Sequence, residues 1–310
     1  FIEFWRRRSA GVESVPEWSI DAGKGTRFAL HPSGLILVTA ACNGEVRSWQ
    51  LEDGKPPVPS LIAKGEGPAL PCPATTPVFS RDGVFVAAAK GPRLRLWSRS
   101  NGSAWEQRFD GAFDDDIGDE PGAPSTRRDR ITSLAMSSAS DLLAAGGDSG
   151  RVRLLDIKDG RPATGFRTAS VDGGSAVVSL AFLPDGSALL SGGKDGVISE
   201  WSLPTLKKGT SSERHQRGVS GLALADRAKG ASDGRTILVS ADWGGAIFEW
   251  SQGTLEGPAT SIAFADDRPL EAMALRADGQ FLVTAGDQLL VWDFNRAVMK
   301  ESAQRFRSTH

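Results

Sequence analysis

Leu189–Trp201 reads LLSGGKDGVISEW, and Leu238–Trp250 reads LVSADWGGAIFEW. Both stretches carry an apolar run, a small-residue turn and a second run that ends on Trp. Alternation in ISEW gives a strand with one buried face. Asp195-Gly196 between the runs is a tight turn, because Gly accepts a positive φ. Outward from this pair the pattern recurs. LVTAACNGEVRSW ends at Trp49, VAAAKGPRLRLW at Trp97 and LVTAGDQLLVW at Trp292, while LAAGGDSGRVRLLD has Leu155 in the Trp position. From Trp49 onward the successive spacings are 48, 58, 46, 49 and 42 residues. A repeat of that length marks supersecondary units that bury their faces only by stacking.

Each copy has a further hairpin upstream: RFALHPSGLILVT, TPVFSRDGVFVAA, TSLAMSSASDLLAA, VSLAFLPDGSALLS and AMALRADGQFLVT. Asp82-Gly83, Asp185-Gly186 and Asp278-Gly279 supply their turns. No segment between the strands shows a helical period over ten residues, so an α/β arrangement is disfavoured. The expected fold is all-β, a β-propeller of four-stranded antiparallel blades spanning 1–310 as one domain. Stacked blades leave only short edges. Full blades are expected at about 25–60, 75–110, 130–167, 177–210, 218–265 and 269–308. The opening FIEFWRRRSAGVESVPEWSI reads as a third strand ending at Trp5 and a fourth near Trp18, and Trp5 lies 44 residues before Trp49. That predicts seven blades, with 1–20 a partial one whose inner strands come from elsewhere.

These repeats resemble the WD-repeat family. The resemblance implies a structural hydrogen-bond chain in each blade: a His before the first strand, a Ser or Thr in the second, an Asp in the next turn and the third-strand Trp. The fourth copy carries Ser191, Asp195 and Trp201, and the first carries Thr39, Asn43 and Trp49. The fifth has His215, Ser240 and Trp250, but Gly244 stands at the Asp position; the third has Ser149 there. Asp156 and Asp293 follow the third-strand position, and only Trp292-Asp293 spells the dipeptide.

Composition excludes several classes. Net charge is −2, with no basic footprint for nucleic acid beyond Arg6-Arg7-Arg8. No run of 18 apolar residues offers a membrane span. FIEFWRRRSAG places its charge after the apolar part, unlike a signal peptide. Cys42 and Cys72 are the only cysteines, too few for a disulfide framework, and a cytoplasmic setting is expected.

Candidate chemistry is sparse. Gly230-Ala231-Ser232-Asp233-Gly234 matches G-x-S-x-G, but a polar turn feeds a strand where a nucleophile elbow needs a helix. Of three His, His31 sits in a turn, His310 is terminal and His215 fills the structural position that the resemblance implies. Ser240-Ala241-Asp242-Trp243-Gly244 resembles the start of a sialidase Asp-box, with Ile247 where an aromatic should close it. Asp114, Asp115, Asp116, Asp119 and Glu120 form an acidic stretch in an insertion at 110–130 without calcium-loop spacing, expected to be a dispensable loop. Ala22–Thr26, AGKGT, lacks the first Gly of a phosphate loop. No catalytic residue, metal site or cofactor is expected.

The resemblance implies that propeller faces bind partners. The residue before each second-to-third-strand Asp position is expected on the narrower face: Cys42, Lys90, Asp148, Lys194 and Trp243. DGRPATGF and LEDGKPPVPS are similar to bacterial WD-repeat arrays fused to signalling ATPases, kinases or caspase-like peptidases. That similarity implies a non-catalytic scaffold or sensor whose partner is a protein or a fused effector. The alternatives are a substrate or inhibitor regulated by proteolysis, and an enzymatic propeller such as a hydrolase.

Overall fold

A computed structural model describes residues 2–4, 7–8, 11–12, 18–21, 25–65, 75–100, 104–113, 129–158, 161–170, 174–226, 236–250, 255–256, 259–264, 269–276, 279–286 and 289–293. Among these there is no α-helix, and no helix long and apolar enough to cross a membrane.

The N-terminal segment holds β1 (Ile2–Phe4), β2 (Arg7–Arg8), β3 (Gly11–Val12) and β4 (Trp18–Ile20). Then come six sheets with antiparallel neighbours. The first is β5 (Arg27–Leu30), β6 (Ile36–Ala40), β7 (Val46–Glu52) and β8 (Lys55–Ala63). The second is β9 (Val78–Phe79), β10 (Phe85–Lys90), β11 (Arg93–Ser98) and β12 (Glu106–Ala112). The third is β13 (Ile131–Met136), β14 (Leu142–Gly147), β15 (Arg151–Lys158) and β16 (Arg161–Ser170). The fourth is β17 (Val177–Phe182), β18 (Ala188–Gly193), β19 (Ile198–Ser202) and β20 (Lys207–Ser212). The fifth is β21 (Val219–Asp226), β22 (Thr236–Asp242), β23 (Ala246–Trp250) and β24 (Ala259–Phe264). Among the described residues the sixth has three strands, β25 (Ala272–Leu275), β26 (Phe281–Ala285) and β27 (Leu289–Asp293).

Among the described residues the blade count is therefore six, and the expected seventh is not formed. β1 pairs with β4 and β2 pairs with β3, each as a two-stranded ribbon. Strands of two and three residues without inner neighbours fall short of a blade.

The chain divides into two compact units, residues 1–134 with 157–163, and residues 135–156 with 164–310. In the first unit Ile20 of β4 is buried with Leu37 and Trp49 on one face of the first sheet, with Ile2 packed against them. The other face, with Val38, Ala40 and Val46, packs on Val86, Ala88 and Trp97 of the second sheet. In the second unit the same layering repeats. Ala144, Val152 and Leu154 meet Leu180, Leu189 and Trp201. Leu190 and Ile198 meet Val219, Leu238 and Trp250. Val239 and Ile247 meet Leu270 and Leu282. Central strands are thus covered on both sides, so β18 reads ALLSGG, apolar or small throughout, and every residue in it is buried.

The acidic insertion begins later than the sequence suggests. Asp110 lies in β12, opposite Arg95, and its carboxylate accepts from the Arg93 guanidinium. Phe113 is fully buried, and its amide donates to Pro92. Apolar burial at Phe113 and ladder pairing at 110–112 override the polar composition, so 110–112 belong to the second sheet and Phe113 packs beside it. Residues 114–128, with the acidic cluster, lie outside the described residues, as does the Ser232 motif.

Candidate functional site

The third-strand Trp residues are fastened by one recurrent bond. The Trp49 indole N–H donates to Thr39 Oγ1 at 3.0 Å, Trp201 to Ser191 Oγ at 2.8 Å, Trp250 to Ser240 Oγ at 2.8 Å, and Trp292 to Thr284 Oγ1 at 2.9 Å. The reason is geometric: the hydroxyl sits on the neighbouring strand, two positions along the ladder from the Trp's partner. Leu37 faces Trp49 and Leu189 faces Trp201, so Thr39 and Ser191 lie on the same sheet face as the indoles. A buried indole N–H needs such an acceptor. In the second copy Val86 faces Trp97, so the hydroxyl position falls on Ala88, and the third copy has Leu155 in place of Trp, so neither can make the bond.

The fifth sheet carries a longer chain. Ser240 Oγ lies 2.7 Å from His215 Nε2, and His215 Nδ1 lies 3.0 Å from Asp242 Oδ2. One assignment satisfies every group. Nδ1–H donates to the Asp242 carboxylate, the Ser240 hydroxyl donates to Nε2, and the Ser240 oxygen accepts from Trp250. Burial holds the His215 pKa below the ordinary imidazole value of 6.5, against the hydrogen bond and charge of Asp242. Phe248 meets the imidazole edge-on, with centroids 5.0 Å apart. A Ser, a His and an Asp at these distances have the reach of a nucleophile triad. Ser240 is 0% exposed, however, and its oxygen is held by Trp250. No substrate atom can approach it, so the arrangement is structural.

Asp242 fills the role for which position 244 was expected to supply the Asp. Gly196 and Gly245 have φ of 87° and 88° and mark equivalent turn positions. Asp195 and Gly244 then correspond, as do Gly193 and Asp242. In the fourth sheet a Cβ on Gly193 would collide with Asp195 Oδ1, so the Asp195 carboxylate occupies the space above Gly193. In the fifth sheet the carboxylate comes from the other side of the turn. Asp242 Oδ1 accepts the amides of Gly244 at 2.9 Å and Ala246 at 3.0 Å. Asp195 Oδ1 accepts the Val197 amide at 3.0 Å, and Asn43 Oδ1 accepts that of Glu45 at 2.9 Å. The signal in the sequence was the exchange itself, Gly-x-Asp at 193–195 against Asp-x-Gly at 242–244.

The five residues expected on the narrower face fall into different states. Cys42 is disulfide-bonded. Its sulfur is therefore not a free contact group. Lys90 is half-buried and its ammonium donates to the Asn43 carbonyl at 2.8 Å. Asp148 is half-buried. Lys194 is exposed, and Trp243 is 37% exposed. The structure brings Lys194 and Trp243 together around Gly218: a Cβ there would lie 2.6 Å from the Lys194 carbonyl and 2.7 Å from the Trp243 ring. Asp293 lies in β27 opposite Phe281. Among the described residues no group of three His, Cys, Asp or Glu is placed to hold a metal ion.

Comparison with known proteins bears on the Trp-ended repeats. Residues 124–156 and 166–202 match one repeat family. That family is the WD domain, G-beta repeat. The WD-repeat matches cover the β13–β15 and β16–β19 stretches, including Ser191, Asp195 and Trp201. Transducin beta-like protein 3 of Rattus norvegicus is 31% identical over 53% of this chain and 20% of its own length. Methylosome protein WDR77 of Xenopus laevis is 28% identical over 60% of the chain and 52% of its own length. The WD repeat-containing protein 91 homolog of Dictyostelium discoideum is 33% identical over 25% of the chain and 10% of its own length. The chain thus spans from a tenth to about half of these relatives.

Proposed function

We propose that this chain is a WD-repeat propeller acting as a protein-interaction scaffold, with the β22–β23 turn at the centre of its contact surface. The observation that carries the reading is Trp243. Its amide donates to the Gly218 carbonyl at 3.0 Å and its ring rests on Gly218, yet it remains 37% exposed. A large aromatic held rigidly at a surface turn is the usual anchor of a protein interface. The chemistry-bearing side chains nearby, His215, Ser240 and Asp242, are consumed in holding the blade, which supports binding rather than turnover. WD-repeat matches in two copies support the scaffold reading at the level of fold, and fold alone does not name a partner. The likeness of DGRPATGF and LEDGKPPVPS to bacterial arrays supports a sensor or regulatory setting beside an effector domain.

A photo-crosslinking residue at position 243 tests this in extracts of the source cell, with Ser211 on the exposed outer strand β20 as the control position. The expected result is a discrete adduct from 243 and none from 211. No adduct from 243, or equal adducts from both, would overturn the scaffold reading.

A further inference from the structure

The face of the first sheet turned away from the second sheet is covered over part of its width. Phe28 pairs with Thr39 and Leu30 with Leu37, so both share the face of Trp49. The β1–β4 ribbon lies on that face. β4 runs beside the outer strand β8, and Ile2 of β1 packs at Leu37 and Trp49. Beyond the ribbon, Phe28 and Leu30 of the innermost strand β5 are 50% and 53% exposed. The corresponding residues of later sheets are covered. In the fourth sheet Leu180 faces Ser191 and Phe182 faces Leu189, and both are 7% exposed. They share a buried cluster with Ala135 and Ala144, which stand on β13 and β14, the two inner strands of the sheet before. Leu222 and Leu224 hold the same places in the fifth sheet, packed against a cluster that includes Leu190 and Ile198 of the fourth. Among the described residues β1 is hydrogen-bonded to β4 alone, so its second edge is open, on the side toward β5. The charged residue on the same face, Arg47, is paired with Glu45.

We propose that the open edge of β1 and the exposed Phe28 and Leu30 together seat a β-hairpin of a partner polypeptide. The second strand of that hairpin pairs with β1, and its sheet-facing side carries Ala and other small apolar residues. Both parts of the seat ask for the same occupant. An open strand edge accepts a further strand through main-chain hydrogen bonds. One strand added to β1 extends the ribbon toward β5, and a second brings it over Phe28 and Leu30. Neighbouring strands lie about 4.8 Å apart, so two of them span the roughly 10 Å that separates β1 from a place above the sheet's inner edge. Small residues are required because the large ones already stand on β5, just as Ala135 and Ala144 meet Leu180 and Phe182 in the fourth sheet. The inner hairpins among the described residues are each paired into their own sheets, which leaves a second polypeptide to supply this one. The seat shares no residue with the Trp243 turn, so it adds a second contact surface to the scaffold and gives its partner a form.

Fluorescence anisotropy with the whole chain tests the proposal. The probe is a labelled synthetic peptide of residues 131–147, ITSLAMSSASDLLAAGG, the hairpin that meets Leu180 and Phe182 within the chain itself. A scrambled peptide of the same composition is the control. The expected result is saturable binding of the hairpin, none of the scrambled peptide, and at least a tenfold loss in Phe28→Asp/Leu30→Asp. Both side chains are exposed, so that variant should keep the wild-type urea midpoint. Bound hairpin should also slow amide exchange at residues 2–4 of the wild type, which adhesion to an apolar surface does not do. Trp243→Ala should bind the hairpin as the wild type does, so a failure here leaves the scaffold reading to its own crosslinking test. Absence of binding, equal binding of the scrambled peptide, equal binding by the double variant, or unchanged exchange at residues 2–4 would each overturn the proposal. A wild-type dimer that Phe28→Asp/Leu30→Asp converts to a monomer in sedimentation velocity would make a second copy the occupant, and would overturn it equally.

Discussion

Asp242 offers the sharpest test, because its carboxylate does three things at once. It accepts two turn amides and orients His215, while 2% exposed. Asp242→Ala removes those acceptors and leaves buried donors without partners. Hydrogen bonds to a charged acceptor are worth about 1.5–3 kcal/mol each, and bonds within one network are not additive. An overall loss of about 3–4 kcal/mol follows, near the range for removing one partner of a buried polar pair. The double exchange Asp242→Gly/Gly244→Asp recreates the Gly193–Asp195 arrangement of the fourth sheet. Its new Cβ at 244 would press on Arg217 Cγ, a flexible stem that can give way. A glycine at 242 costs about 1 kcal/mol in a strand. The exchange should therefore recover about 2 kcal/mol of the loss. Urea unfolding followed by Trp fluorescence gives both values. If the double variant is no more stable than Asp242→Ala, the carboxylate's place in the turn is not what matters, and the equivalence of the two turns is wrong.

Other consequences follow from the same bonds. Because burial depresses the His215 pKa, the unfolded chain binds the proton first; its stabilising contribution is complete above pH 6.5 and falls as pH drops below that value. The slope is at most about 1.4 kcal/mol per pH unit, and the difference between wild type and His215→Gln across pH 7.5 to 5.5 should show it; a constant difference refutes it. Ser191→Ala should cost about 1–3 kcal/mol by stranding the Trp201 N–H, while Ser191→Thr should be close to neutral in the same melts. Phe113→Ala should cost about 3–5 kcal/mol, as a fully buried aromatic; a loss under 1 kcal/mol would return Phe113 to the loop. Thiol titration of the denatured, unreduced chain should find no free thiol at Cys42, and one reactive Cys42 would contradict the disulfide.

The blade unit was legible because its two determinants are local. Alternation and turn glycines set the hairpins, and the third-strand Trp sets the period. The blade count was not, because it depends on whether a short terminal segment finds inner strands, and alternation in FIEFW says nothing of that. Thr39 with Trp49 and Ser191 with Trp201 could be matched from spacing alone, since ladder register fixes a hydroxyl against an indole. The reach of the acidic insertion was misjudged because Phe113 is a single apolar residue in a polar run, and composition averages it away.

Asp242 was missed for a different reason, and it bears on how imperfect repeats should be read. The turn needs a carboxylate or its equivalent at one place, to accept amides that face inward. Two backbone positions, on either side of that place, can deliver it. Whichever does so requires the other to be small, because a second side chain would occupy the same volume. Gly193 with Asp195 and Asp242 with Gly244 are the two solutions. Ala41 with Asn43 follows the first, with a neutral amide as acceptor. Only the second solution places the carboxylate on β22 itself, at the strand's end, where it also reaches His215. Among the described residues, the copy that shifts its Asp away from the repeat's expected position is therefore the one in which the full chain from Asp through His and Ser to Trp is assembled. Its rigidity holds the start of the turn on which Trp243 stands.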